Sequence, residues 1–257
     1  MRINIQIDIR DIIFKTSIFA FNFASMRLLT TLFFSLATLV VFAQPKSNNK
    51  DAQGKRHGLW KKTFDNGQTR YIGTFDHGKE VGEFRYFFEN GDLKVINQFR
   101  GKTGICYSYQ FGGDSLIAAE GKYINGKRDS IWTFYDIDGN VVARDMYKKG
   151  VREGLSLVLY PNGKIAESTI YVNDVKEGEW FMKFENGKPR AKGSFKEGSM
   201  SGEVIYYNSF GKPRAKGKYI KGLMNGTWYY FDDKLKVEKK ETWERGKLVS
   251  TSPEPVK

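Results

Sequence analysis

The sequence has few of the residues on which most enzymes and disulfide-stabilised proteins depend. Among 257 residues there is one cysteine, Cys106, and there are two histidines, His57 and His77. A single cysteine excludes an internal disulfide framework. No local motif joins a nucleophile, a base and an orienting group, so we expect no catalytic residue, no cofactor and no enzyme activity. Two histidines beside turn glycines are too few ligands for a zinc site, and we expect exposed turn residues and no metal.

Two further patterns suggest chemistry but fit the chain better as turns. Residues 136–140, Asp-Ile-Asp-Gly-Asn, resemble the start of a calcium loop, but Tyr147 stands where the twelfth-position carboxylate would be. Glu83, Glu179 and Glu203 recur at one spacing and leave open an envelope-polymer hydrolase. Because each follows a glycine at the same point of a repeat, we favour a structural role.

Long apolar runs are scarce, and the clearest one lies near the N terminus. Leu28 to Phe42 follows Met26 and Arg27 and ends before Ala43. This pattern predicts a signal peptide over residues 26–43 within a leader of residues 1–43. Because a long segment before a signal peptide is unusual, our hypothesis is that Met26, and not Met1, is the true start and that residues 1–25 lie upstream of it. The run is shorter than the roughly 20 residues of a spanning helix. We therefore expect an exported protein; the alternative is a membrane anchor that is not cleaved. Polar residues 44–57 are expected to be a linker.

Glycine and aromatic residues are abundant, and they recur every 24 residues. Proline numbers 6, glycine 27, and aromatic residues make up 15% of the chain, as is typical of an all-β chain with tight turns. Eight copies cover residues 58–249 without insertion, and residues 250–257 are expected to be a disordered tail. The repeat aromatics that we expect to be structural are Trp60, Phe75, Phe99, Tyr123, Trp132, Tyr147, Tyr171, Trp180, Phe195, Tyr219, Trp228 and Trp243.

Each copy predicts one β-hairpin. Asn-Gly or Asp-Gly near the middle, as at Asn186-Gly187, tolerates the positive φ of a tight hairpin turn. The strand that follows alternates apolar and polar side chains, which indicates one packed face and one wet face. The fold class predicted is all-β, an elongated antiparallel meander of about eight hairpins in an open, curved sheet. A recurrent glycine in the second strand should clear space for a neighbouring ring, and the irregular third copy should contain a bulge or kink.

The strongest charge pattern is a basic patch in the sixth and seventh copies. The chain has a net charge of +13, and Gly-Lys-Pro-Arg-Ala-Lys-Gly occurs twice. Alternation puts these cations on one side of neighbouring hairpins, where they can bind an acidic protein, an anionic envelope component or acidic lipid headgroups. Export argues against a nucleic-acid partner. The patch comprises Lys188, Arg190, Lys192, Lys196, Lys212, Arg214, Lys216 and Lys218.

The repeat resembles a known family. Gly178, Trp180, Phe184, Asn186-Gly187, Gly193, Phe195, Gly198 and Gly202 follow the pattern of the MORN-variant repeat. The resemblance implies a sheet of hairpins that acts as a scaffold for protein assembly or binds membrane lipid, and such arrays are often labelled antitoxins of the YwqK type. We expect an exported, non-enzymatic repeat protein that binds a protein or envelope partner; the alternative is an antitoxin or immunity protein.

Overall fold

The computed structural model describes residues 47–113 and 115–253. The predicted leader and residues 254–257 lie outside the described residues. Within them, no helix is long and apolar enough to cross a membrane. The described secondary structure is a succession of strands: β1 (Gly58–Thr63), β2 (Thr69–Asp76), β3 (Lys79–Phe87), β4 (Leu93–Phe99), β5 (Ile105–Phe111), β6 (Ile117–Ile124), β7 (Lys127–Tyr135), β8 (Val141–Lys148), β9 (Val151–Leu159), β10 (Ile165–Val172), β11 (Val175–Lys183), β12 (Pro189–Lys196), β13 (Ser199–Met200), β14 (Gly202–Tyr207), β15 (Pro213–Ile220), β16 (Leu223–Phe231), β17 (Val237–Glu244) and β18 (Lys247–Pro253).

Successive strands pair antiparallel and form one open sheet. For example, β1 pairs with β2, β2 with β3 and β3 with β4. The short β13 and the longer β14 both pair with β12, so they form one strand interrupted at Ser201. Within the described ranges β1 and β18 do not pair with each other. This confirms the predicted all-β hairpin meander.

The strand count differs from the sixteen that eight hairpins require. One extra strand arises from the break at Ser201, and the other is β18, which pairs with β17. Strand β18 reaches Pro253, four residues into the segment predicted as a disordered tail. The physical reason is that β17 would otherwise leave its outer backbone groups unpaired at the sheet edge.

Two kinds of turn alternate along the sheet. In the central turn of the sixth unit, the Gly187 N–H donates to the Phe184 carbonyl (2.8 Å) and the Lys188 N–H donates to the Asn186 side chain (3.0 Å). The turn between units has positive φ at both central residues, 52° at Glu197 and 80° at Gly198. Both central residues of a type I′ hairpin turn require this conformation, so local sequence determines the hairpins.

A regular bulge marks most junctions between units. In the β2–β3 pair, Ile72 lies opposite Arg85 and Thr74 lies opposite Val81, so Gly73 faces three residues, Gly82–Phe84. Gly82 has a φ of 68°, the left-handed conformation that favours glycine. The β4–β5 pair has no such shift, because Cys106 occupies the glycine position there without a positive φ. The irregular third copy therefore begins with a regular ladder. The irregularity expected in this copy lies beside its central turn, where the β5–β6 register shifts between Gln110 and Phe111.

The ring face, defined as the side of the sheet that carries the repeat aromatics, holds the core. Trp132 and Phe84 are fully buried, and Phe75 and Trp228 are 2% exposed. The rings meet edge to face, within a unit and between units, at centroid separations that suit aromatic pairs. The edge-to-face pairs are Trp60–Phe75 (5.9 Å), Phe75–Phe84 (5.1 Å), Phe84–Phe99 (5.4 Å), Tyr123–Trp132 (4.9 Å), Trp180–Phe195 (5.9 Å) and Tyr219–Trp228 (5.2 Å).

Residues 47–57, predicted as a linker, make hydrogen bonds with β1 and with each other. The Asn48 N–H donates to the Leu59 carbonyl (2.8 Å), and the Trp60 indole donates to the Asn49 carbonyl (2.9 Å). Lys50 and Arg56 form an antiparallel bridge. We name residues 47–57 the N-terminal cap, because they cover part of the first strand's free edge.

Candidate binding surface

The predicted basic patch lies on the face opposite the rings. Along β15, exposure alternates: Arg214, Lys216 and Lys218 are exposed, whereas Gly217 is buried. The two repeated Lys-Pro-Arg-Ala-Lys segments bring the cations onto adjacent hairpins, as predicted. We name these residues the basic face, and every one of them is exposed: Lys188, Arg190, Lys192, Lys196, Lys212, Arg214, Lys216 and Lys218.

Strand register places lysines and apolar side chains alternately in one cross-strand row. Lys192 lies opposite Phe181 on one side and Ile205 on the other. Lys216 lies opposite Ile205 and Tyr229. Directly opposed residues in antiparallel strands project from the same face. Because strands are about 4.8 Å apart, Lys192 and Lys216 stand roughly 10 Å apart with Ile205 between them. Sequence reasoning identified the cations but missed the intervening apolar residues, since register was needed to align them.

Half of the basic face is engaged by neighbouring groups. Arg214 pairs with Asp233 (3.1 Å), and the Lys212 ammonium donates to the Asp233 carbonyl (2.8 Å). Lys188 lies over the Phe210 ring (5.9 Å), and Arg190 lies over Phe184 (5.8 Å). No ion pair within the described ranges involves the remaining four cations, which can therefore receive an external anion: Lys192, Lys196, Lys216 and Lys218.

A groove of about 820 Å³ opens on the ring face beside the third unit. It lies where Ser108 occupies the position that a ring fills in neighbouring units. Ser108 is 1% exposed, and neither its hydroxyl nor the Asn97 side-chain oxygen has a hydrogen-bond partner in the described part of the chain. Cys106 also lines the groove, and burial raises the pKa of its thiol to about 11. A thiol with a raised pKa is a poor nucleophile at neutral pH.

The three recurrent glutamates lie exposed on separate hairpins. Glu179 is opposite Ser194, and Glu203 is opposite Lys218. Glu83 forms an ion pair with Arg85 on its own strand (2.7 Å).

The segment that resembles the start of a calcium loop is a hairpin turn. The Asp136 carboxylate accepts hydrogen bonds from the backbone N–H groups of Asp138 (3.0 Å) and Asn140 (2.8 Å), which is the local bonding of a turn.

His57 and His77 are exposed, as predicted, but they are not separate turn residues. Their ring centroids are 4.8 Å apart, and the Asp76 carboxylate lies beside both. The sequence shows two histidines at separate turns, and only the folded N-terminal cap brings His57 to the turn at His77, beside the Asp76 carboxylate.

The fold and its surfaces define a β-hairpin repeat protein. Three segments, residues 80–100, 152–173 and 176–197, match the MORN repeat variant family, which confirms the resemblance seen in the sequence. They correspond to hairpins β3–β4, β9–β10 and β11–β12. The chain thus contains MORN-variant repeats. No curated protein matches the chain.

Solved structures give only distant likenesses. A S. aureus TarM mutant in complex with Fondaparinux, alpha-GlcNAc-glycerol and UDP is 18% identical over 37% of this chain, with a TM-score of 0.30. This chain spans 19% of that protein's chain. A Photorhabdus luminescens Tc holotoxin pore is 11% identical (77% of this chain, 13% of that chain, TM-score 0.22). A porin-like protein from Bacteroides uniformis is 10% identical (74% of this chain, 92% of that chain, TM-score 0.18). TM-scores this low support no functional conclusion.

Proposed function

We propose that the chain is an exported, non-enzymatic repeat protein whose basic face binds an anionic component of the cell envelope. The observation that carries the proposal is the alternation of Lys192 and Lys216 with Phe181, Ile205 and Tyr229 along one row of the sheet. Lysines attract phosphate or carboxylate groups, and the apolar residues between them can contact the non-polar parts of the same partner.

Acidic lipid headgroups fit this spacing. A lysine near an anionic membrane surface contributes about 1 kcal/mol of binding free energy. Three lysines would thus contribute about 3 kcal/mol, roughly a hundredfold in affinity. The contribution should fall with salt, because exposed charges are screened beyond about 10 Å at 0.1 M ionic strength.

Co-sedimentation of the full chain with vesicles tests the lipid part of the proposal. Vesicles rich in phosphatidylglycerol should bind the chain, and vesicles of phosphatidylcholine alone should not. The triple variant Lys192→Ala, Lys216→Ala, Lys218→Ala should weaken binding about a hundredfold. A matched control, Lys61→Ala, Lys62→Ala, Lys148→Ala, removes the same charge from exposed positions outside the basic face.

Equal binding by the two triple variants would mean that net charge, and not the basic face, attracts the vesicles. If neither variant nor wild type binds vesicles, but the wild type binds a soluble anionic polymer and the basic-face variant does not, the partner is a polymer and the lipid assignment is wrong.

The export part of the proposal rests on the apolar run Leu28 to Phe42 and the small residue Ala43 after it. N-terminal sequencing of the protein from the expressing cell should begin at Gln44. A mature protein that retains residues 26–43 would contradict cleavage and favour a membrane anchor.

A further inference from the structure

Three metal-binding side chains meet at the N-terminal end of the sheet. His57 lies in the N-terminal cap, and Asp76 and His77 lie at the turn between β2 and β3. The His57 Nδ1 atom is 3.7 Å from the Asp76 Oδ1 atom, and the His77 Nε2 atom is 3.6 Å from the same oxygen. One donor atom from each residue lies within 4.8 Å of the others. The chain's two histidines thus share one carboxylate oxygen as a neighbour.

These separations are close to those of a zinc coordination shell. Zinc binds histidine nitrogen and carboxylate oxygen at about 2.0–2.2 Å, so two donors in a tetrahedral site are about 3.3–3.6 Å apart. The histidine-to-carboxylate distances of 3.6 and 3.7 Å lie at the upper end of that range, and the two imidazole nitrogens, within 4.8 Å of each other, would move closer to share one ion. The imidazoles are 50% and 54% exposed, which leaves them room to rotate towards an ion. Two imidazoles and one carboxylate also leave a fourth position open for water.

Asp51 orients one of the imidazoles. The His77 Nδ1–H donates to the Asp51 Oδ2 atom at 2.6 Å. The other Asp51 oxygen accepts the N–H groups of Gln53 (2.9 Å) and Lys55 (2.8 Å), and the carboxylate is 7% exposed. With a proton held on Nδ1, the Nε2 atom of His77, 3.6 Å from the Asp76 Oδ1 atom, is the nitrogen that can bind an ion. A carboxylate bonded to the far nitrogen of a histidine is the usual outer partner of a zinc ligand.

Lys102 occupies the other side of the Asp76 carboxylate. Its ammonium is 2.5 Å from Oδ2, so Oδ1 remains available between the two histidines. The positive charge of Lys102 repels a bound cation, although the lysine contacts Oδ2 and the ion would bind Oδ1 of the same carboxylate. Substitution of Lys102 therefore distinguishes a metal site from an ion-pair network that the lysine completes.

We infer that His57, Asp76 and His77 bind one divalent ion of the zinc class, with Asp51 as the residue that positions His77. The bound ion would join the N-terminal cap to the β2–β3 turn, and it would stabilise the first hairpin at the exposed end of the sheet. Binding to the folded state alone raises stability with ion concentration.

Calorimetric titration of zinc sulfate into the chelator-treated full chain tests the inference. We expect one ion per chain. His77→Asn should weaken binding at least a hundredfold, and it preserves the turn, because Asn125 holds the matching position with a φ of 51°. Asp51→Asn should weaken binding by about 10- to 100-fold. Lys102→Met should tighten it, and Asp65→Asn, an exposed turn carboxylate outside the cluster, should change nothing.

Metal-free thermal melts of each variant establish that the hairpin still folds. The inference is overturned if the wild type binds zinc no more tightly than the double variant His57→Ala, His77→Asn. It is also overturned if Lys102→Met weakens zinc binding, since the lysine would then support the cluster as an ion-pair network.

Discussion

The backbone of Gly217 lies directly against the indole of Trp228, in the place where another residue would carry its Cβ. A Cβ built at Gly217 would overlap the Trp228 ring atoms, and the same holds for Gly121 with Trp132 and Gly73 with Phe84. This confirms the prediction that the recurrent glycine makes room for a ring. Where a smaller side chain replaces the ring, glycine is no longer required. Gly193 faces Val204, and a Cβ added there would lie 3.4 Å from the nearest atoms, which is an ordinary contact distance.

Gly217→Ala should destabilise the fold, whereas Gly193→Ala should be nearly neutral. An alanine methyl at position 217 forces the buried Trp228 out of place, and overpacking of this kind costs about 1–3 kcal/mol. At position 193 the methyl finds ordinary contact distances, so any loss should stay below about 1 kcal/mol. Urea denaturation followed by tryptophan fluorescence measures both. If the two variants lost similar amounts of unfolding free energy, contact with the Trp228 ring would not be the cause of the destabilisation.

Asp145 and Ser156 replace the glycine–ring pair at one junction. Their side chains form a hydrogen bond (Ser156 Oγ to Asp145 Oδ1, 2.7 Å) in the space that an indole fills elsewhere. Ser156→Trp alone should destabilise the sheet, because the indole collides with Asp145. Adding Asp145→Gly should recover about 1–3 kcal/mol as a coupling energy in a double-mutant cycle. If the stability changes of the two single variants simply added in the double variant, the Asp145–Ser156 pair would not be a replacement for a glycine–ring pair.

Cys106 should react slowly with iodoacetamide in the folded protein. Its side chain is 4% exposed, and burial raises the pKa of the thiol to about 11, so little thiolate exists at pH 8. Relative to an unfolded thiol of pKa about 8.5, we expect alkylation to slow by about 100-fold or more. Mass spectrometry with and without urea measures the two rates. A folded rate close to the unfolded rate would contradict the burial of the thiol.

Glu241 should contribute stability that is lost in acid. It accepts bonds from Lys239 (2.8 Å) and Tyr230 (2.7 Å), and chiefly Lys239 holds the pKa of its carboxyl below the usual value. A carboxyl whose pKa is lower in the folded state stabilises the fold above its unfolded pKa of about 4.3, and this contribution disappears as pH falls through the folded pKa. Glu241→Gln should therefore cost about 1–3 kcal/mol at pH 7 and less below pH 4.

The exposed Glu238 on the same strand provides the control for that measurement. Glu238→Gln removes the same charge, but the residue is exposed and should change the urea midpoint little at either pH. If the two variants lose stability equally at pH 7 and at pH 4, the bonds to Glu241 do not stabilise the folded state.

Much of the fold could be predicted because the repeat encodes contacts between neighbours. A glycine at position 121 and a tryptophan at position 132 are separated by a short stretch of chain, and one turn brings them together. The extra strand β18 could not be predicted from the repeat, since Ser250 to Pro253 lie beyond the last copy and pair with β17 only because that strand has a free edge.

The basic face was predicted as charges on two hairpins, but its apolar partners depended on register. The bulge at each junction changes which residues oppose each other, and period-two alternation alone does not determine that pairing. Lys192 opposite Ile205, and Ile205 opposite Lys216, therefore became visible only in the assembled sheet.

The sequence by itself determined the 24-residue unit, its turns and the positions of its rings, because hairpins form from residues close together along the chain. The tertiary structure alone decided where His57 lies relative to His77 and where Asp51 lies relative to both. Those positions depend on the N-terminal cap folding back on β1, and no periodic pattern describes a segment that occurs once.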